Sequence, residues 1–262
     1  MKIISWNVNS IKARMNSIEK LVKISNPDVL CLQETKTVDD NFPLERTRNL
    51  GYKYSVFKGQ KSYNGVAILS KIPIKSHFFL NIYNNDARHI CVNIGDLHIT
   101  NLYVPAGGDI ADADINHKFK HKIEFLSFID QWFKKNISIY NAHILLGDFN
   151  IAPQIHDVWS SRALKNTVSH TQIERESLNR FRKNSNFIDI FRSDGNDSEK
   201  IFTWWSYRNK DWKKSNRGRR LDHIWVSRDL FEFVSSYEIL KYTRDWDAPS
   251  DHVPCSIDMK QY

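Results

Sequence analysis

With 262 residues, 41% of them hydrophobic and only nine glycines and seven prolines, the chain has the make-up of a globular protein, which excludes extensive disorder. A formal net charge of +8 points to a polyanionic partner, either nucleic acid or an anionic membrane surface, while no apolar run reaches membrane-spanning length. Cys31, Cys91 and Cys255 sit beside apolar strand-like residues without metal-ligand spacing, so they are expected as buried free thiols in a cytoplasmic protein.

Lys2 to Val8 alternates as a strand. About Ser10 to Ile24 reads as a helix, with Ile11, Met15, Ile18, Leu21 and Val22 on one stripe, and Asp28 to Leu32 returns as a strand. Further strands are predicted at "GVAILS", "HICVNIG", "LHITNLYVP", "HILLGDF", "IFTWWSY", "LDHIWVS" and "VPCSIDM", and helices at "FKHKIEFLSFIDQWFKK" and "TQIERESLNRFRKN". Consecutive strands without helical crossovers between about Tyr52 and Val104 predict antiparallel neighbours, hence an α/β protein with mixed sheets. No linker is evident, and the polar stretch from Arg192 to Lys200 reads as a surface loop, so residues 1–262 are expected to form a single domain.

Polar residues recur at strand ends. Asn7 and Asn9 follow "KIIS", Glu34 follows "DVLCLQ", Asp148 and Asn150 follow "ILLG", Asp222 lies in "RRLDHIWV", and Asp251 with His252 precedes "VPCSI". Taken singly, each is ordinarily a cap or a turn. Taken together they describe an acidic cleft, which becomes favourable when a hard divalent cation, Mg²⁺ or Mn²⁺, binds the oxygen donors. Residues i and i+2 of a strand share a face, so Asn7 with Asn9, and Asp148 with Asn150, are expected to point together.

An acidic site on a basic protein fits phosphodiester hydrolysis, with cations holding the backbone and carboxylates holding the metal. Asp148 suits the base for water if Asn150 positions it, and His252 suits a donor to the phosphate. Asp222 is a candidate to accept from the other ring nitrogen of His252, favouring the imidazolium. The segment "FTWWSYRNKDWKKSNRGRR" interleaves Trp204, Trp205, Tyr207 and Trp212 with Arg208, Lys210, Lys213, Lys214, Arg217, Arg219 and Arg220, as a nucleic-acid surface would. At least one of Trp204 and Trp205 is expected in the core, because adjacent strand residues face opposite ways.

The blocks "SWNVNSIKAR", "DVLCLQETK", "GVAILSK", "NLYVPAGG", "LGDFNIAP", "FTWWSYR", "RGRRLDHIWVS" and "SDHVP" occur in this order from Lys2 to about Pro254. In them the chain resembles the exonuclease III type of apurinic/apyrimidinic (AP) endonuclease, within the endonuclease/exonuclease/phosphatase superfamily. The resemblance implies a four-layer α/β sandwich, two packed mixed sheets flanked by helices, with the site at one rim. It implies Glu34 as principal metal ligand for Mg²⁺, with Asn7, Asn9 and Asp251 around the metal, and Asp148 as the residue that activates water. Asn150 would orient the nucleophile, Tyr103 would contact the phosphate, and His252 with Asp222 would bind or protonate it. Trp204 and Leu221 would line a pocket for a flipped, base-less sugar. Arg208, Arg217 and Arg219, from the basic segment itself, are expected to hold DNA. The implied substrate is double-stranded DNA, abasic or with damaged 3′ ends, acted on by a monomer.

Three positions depart from that pattern: Ala106 stands where many relatives carry an amide, Arg219 where they often have an apolar residue or Trp, and Ser10 where Gly is frequent. Two rivals share parts of the pattern. A phosphodiesterase acting on a lipid or inositol phosphate would keep the acidic site without the aromatic and basic surface. A non-catalytic nucleic-acid-binding module would keep the surface but gain nothing from the acids.

Overall fold

The computed structural model describes residues 1–82, 86–136, 142–195, 198–209 and 211–260; Lys210 lies outside the described residues. In chain order, β1 (Lys2–Asn7), α1 (Ile11–Ser25), β2 (Val29–Gln33), α2 (Leu44–Asn49), β3 (Tyr54–Lys58) and β4 (Val66–Ser70) come first. They are followed by β5 (Ser76–Phe78), β6 (His89–Ile94), β7 (Leu97–Tyr103), α3 (His117–Asn136) and β8 (His143–Asp148). The last part holds α4 (Ser161–Leu164), α5 (Gln172–Asn184), β9 (Phe187–Asp189), α6 (Trp212–Ser215), β10 (Asp222–Ser227), β11 (Val234–Ile239) and β12 (Cys255–Met259).

The strands form two six-stranded sheets, ordered β11-β12-β1-β2-β4-β3 and β5-β6-β7-β8-β10-β9. β1 and β2 are parallel, as are β7 and β8, while the remaining pairs are antiparallel, so both sheets are mixed. The period of two along a strand explains how they stack. Ile3, Val29 and Cys31 face Ile144, Leu146, Ile224 and Val226 in a core between the sheets. Their neighbours Ile4, Trp6, Leu30 and Leu32 turn outward under the apolar stripe of α1, where Ile11, Met15, Ile18 and Leu21 pack. On the other outer face Leu145 and Trp225 pack beneath Phe125, Leu126, Ile129 and Phe133 of α3 and Leu178 and Phe181 of α5. With both faces of each central strand covered, a continuous apolar run such as Ile144-Leu145-Leu146 is what burial demands. The result is the expected helix–sheet–sheet–helix sandwich.

One predicted strand does not form. "IFTWWSY" is a loop whose strand-like pairing is limited to isolated bridges from Trp204 to Arg219 and to His252. The hydroxyl of Thr203 accepts from the backbone N–H of both Leu221 and Asp222, each at 3.0 Å, so a side chain replaces the ladder there. Trp205 is nevertheless buried and Trp204 only partly so, as expected of the pair. All three cysteines are buried and free, and no described helix is long and apolar enough to cross a membrane.

β8 must also pass a tight spot just before its acidic end. Gly147 has φ +137°, and a Cβ there would lie 2.0 Å from the Leu102 carbonyl oxygen on β7. Gly147→Ala is therefore expected to cost about 3 kcal/mol, read as a fall in the denaturant midpoint at unchanged slope, with loss of activity from the displaced Asp148.

Candidate active site

The outgoing ends of β1, β2, β7 and β8 and the incoming ends of β10 and β12 meet at one rim. Register fixes this: on β8, Asp148 lies opposite Tyr103 of β7 and Asp222 of β10. β1 and β2 place Asn7 beside Gln33, so Glu34 follows directly at the same edge. The carboxylates of Glu34 and Asp148 and the ring of His252, distant in sequence, present ligand atoms within 4.8 Å of one another.

The paired asparagines converge by turns rather than by strand pleating, which corrects the i, i+2 expectation. β1 ends at Asn7 and β8 at Asp148, and both Asn9 (φ 45°) and Asn150 (φ 53°) are left-handed. Asn9 N donates to Asn7 Oδ1 at 3.0 Å and Asn150 N to Asp148 Oδ1 at 2.8 Å, local bonds that Asn and Asp form readily. Asn150 Nδ2 then turns back onto Asp148 Oδ2 at 3.1 Å. Asn7 Nδ2 sits at the centre, donating to Asp148 Oδ2 at 2.8 Å and to Glu34 Oε1 at 2.9 Å.

His252 bridges two acids. Nδ1 lies 2.8 Å from Asp222 Oδ2, and Nε2 points toward Asp148 Oδ2 at 3.7 Å. Burial alone would push the imidazole down, but the charges of Asp222 and Asp148 outweigh it and raise His252 well above the ordinary histidine range. Burial, with the negative charges of Asp222 and Glu34, raises the Asp148 carboxyl despite His252. Burial also works against the charge on Glu34, yet Lys36 and the Asn7 amide hold it below its usual value. Tyr103 donates its hydroxyl to Glu34 Oε1 at 2.9 Å, and burial beside that acid keeps it a neutral phenol.

With His252 held as a cation, the oxygens of Glu34 and Asp148 form the hard donor set, one that suits a divalent metal ion. Burial and the neighbouring acids Asp222 and Glu34 disfavour the charge on Asp148, and a cation would relieve it. The other residues assigned to the metal have partners of their own. Asp251 accepts from Asn9 Nδ2 at 3.1 Å and from Trp204 Nε1 at 2.9 Å, which places it between the acids and the aromatic wall. Lys36, which the sequence reading missed although it closes the "QETK" block, lies 2.8 Å from Glu34 Oε2 and donates to Asn9 Oδ1.

Above the acids opens a cleft of about 650 Å³ whose lining includes Glu34, Asn150, Asp251 and His252 at the base and Trp204 and Leu221 on the wall. Arg208, Arg217 and Arg219 line the same cleft, so every residue assigned to DNA reaches it. The Arg219 guanidinium lies 5.2 Å from the centroid of the Trp204 ring and donates to Val168 O and Ser169 Oγ, so it braces the wall. Arg217 sits over Trp159, another lining residue missed from sequence. Arg220 does not join this surface. It is fully buried, bound to Asp157 through Nε and Nη2 and to both oxygens of Asp189 through Nη1. Such a guanidinium anchors the start of β10 instead of meeting solvent.

A model of the endonuclease/exonuclease/phosphatase family matches residues 4–252. The chain belongs to this family. Among its curated relatives is exodeoxyribonuclease III of Haemophilus influenzae, 32% identical over 99% of this chain and 100% of that protein. An AP endonuclease from Archaeoglobus fulgidus superposes with a TM-score of 0.92 at 30% identity, each chain fully covered. A 3′ phosphatase from Neisseria, solved with a product DNA hairpin, gives the same TM-score at 28% identity and full coverage. The full-length similarity to these proteins places this chain among the exonuclease III-like nucleases.

The acid–imidazole pair in this exonuclease III-like site has a testable consequence. In Asp222→Asn, His252 loses the largest of its supporting charges while burial still favours the neutral ring. Its pKa is expected to fall, so activity in the variant declines as pH rises through the lowered value, where the wild-type ring still holds its proton. A pH–rate profile alongside an NMR titration of the His252 ring checks this.

Proposed function

We propose that the chain is a Mg²⁺-dependent DNA phosphodiester hydrolase of base excision repair, with Mn²⁺ as a substitute, that incises 5′ to abasic sites and trims or degrades damaged 3′ ends. It acts as a cytoplasmic monomer, with residues 1–262 working as one domain. The observation that carries this reading is the meeting of Glu34, Asp148, Asn150 and the His252–Asp222 pair at the base of a cleft walled by Trp204 and Leu221. The activities named for the similar proteins support it.

Glu34 would hold the ion, with Asn7, Asn9 and Asp251 around it, and the ion would supply charge stabilisation at the phosphoryl and leaving oxygens. Asp148 accepts the proton of the attacking water, and the Asn150 amide, bonded to the same carboxylate oxygen, fixes the line of attack. The His252 imidazolium, pinned by Asp222, donates to a phosphate oxygen where charge builds up. The Tyr103 phenol is a second donor at the phosphate, positioned through Glu34. Trp204 and Leu221 offer an apolar wall that favours a sugar without its base, while Arg208, Arg217 and Arg219 hold the strand. Incision then leaves a 3′-hydroxyl and a 5′-deoxyribose phosphate. The aromatic and cationic wall favours DNA over a lipid or inositol phosphate.

The test uses end-labelled duplexes, one with a single abasic analogue and one intact, incubated with Mg²⁺ or with EDTA. A single cut 5′ to the analogue, or a ladder shortening from the 3′ end, is expected with Mg²⁺, and neither with EDTA. Intact duplexes in all lanes would reject the reading.

A further inference from the structure

A second cleft, of about 590 Å³, lies at the other end of β10 and shares none of its lining with the catalytic one. Its apolar side is made by Ile155 and Phe187, and its cationic side by Arg182 and Arg228. Arg182 makes no hydrogen bond or ion pair among the described residues, and Arg228 engages only Nε, on Asn186 Oδ1 at 3.3 Å. The acid that also lines the cleft, Asp189, is neutralised by both its oxygens meeting Arg220.

Trp225 supplies the independent observation. It is 1% exposed and lines this cleft, yet its indole Nε1–H meets no acceptor among the described residues. A buried N–H without an acceptor costs free energy, and in native proteins such groups are ordinarily satisfied. The other tryptophans of the basic segment show the usual outcome: Trp204, Trp205 and Trp212 all donate to side-chain oxygens. An acceptor brought in by a ligand would complete Trp225. Guanidinium groups lining the same cleft select an anionic acceptor with several oxygens, and a cleft of this size accommodates an attached organic group.

We propose that this cleft binds a phosphate ester of the nucleotide class, with the phosphate between Arg182 and Arg228 and an oxygen accepting from Trp225 Nε1. The phosphate belongs either to a free mononucleotide or to a single strand lying along this face. The site is distinct from the catalytic centre and does not depend on the reaction assigned to it.

The experiment follows indole N–H resonances of the full chain in EDTA, with the Trp225 signal identified by Trp225→Phe. Inorganic phosphate, dAMP and a short single-stranded oligonucleotide are titrated separately. A downfield shift of the Trp225 signal is expected with dAMP or with the oligonucleotide, and which of the two moves it identifies the source. In the double variant Arg182→Ala, Arg228→Ala the affinity read from that shift falls by about tenfold or more, while cleavage and the other indole signals stay unchanged. A Trp225 signal that none of the probes moves overturns the proposal, as does a shift that survives in the double variant or movement of Trp204 alone.

Discussion

Asp148→Ala is expected to lower the cleavage rate by at least about 1000-fold while duplex binding is retained. The carboxylate accepts from Asn150 N, Asn150 Nδ2 and Asn7 Nδ2 and faces His252, so the groups that would aim water all converge on it. None of the described side chains nearby can replace it as a base. Glu34 is engaged by Lys36, Asn7 and Tyr103, and Asp222 is taken up by His252. Binding should not suffer, because Asp148 is fully buried and its charge opposes an approaching phosphate. Abasic duplex bound as tightly as by the wild type, or tighter, with no product in single-turnover assays, is the outcome to look for. Cleavage within tenfold of wild type would remove Asp148 from the chemistry.

Most of the architecture was legible because apolar periodicity reports burial. Strands buried on both faces show as runs such as "ILL", and the stripe of α1 marks one covered face. "IFTWWSY" was misread because its aromatic content imitates a strand, while the deciding group, the Thr203 hydroxyl, acts on backbone from another segment. The site residues were legible as polar groups at strand ends and through the motif blocks. How they converge was not, since the left-handed turns at Asn9 and Asn150 depend on local bonds that strand periodicity ignores. The departure at Ser10 has a visible counterpart: its φ of 92° is in the region where glycine costs nothing. Arg219 and Arg220 stand side by side in a basic run, yet one braces the cleft and the other is sealed in the core. Only the positions of Asp157 and Asp189 tell them apart.

Buried charge behind the cleft leads to the second large effect. Lys122 and Glu174 are both fully buried and form an ion pair, a partnership invisible in sequence because their helices, α3 and α5, meet only in the fold. Lys122 Nζ donates to Asn150 O at 2.8 Å and to Ala106 O at 3.3 Å. Glu174 accepts from Ser169 N and Thr171 N, and Ser169 Oγ in turn receives Arg219. One pair thus ties the turn that carries Asn150 to the loop that anchors the arginine bracing Trp204. Burial pulls the ammonium down and Glu174 counteracts it, so removing either partner strands the other. Lys122→Met is expected to cost about 3–5 kcal/mol by denaturant unfolding. In variant protein kept folded at low temperature, kcat should fall more than KM rises, since Asn150 loses its support before the DNA contacts do. Adding Glu174→Gln removes the stranded charge and should recover part of the stability without restoring kcat, because Asn150 O still lacks its donor. A double variant with wild-type kcat would show that the pair serves packing alone.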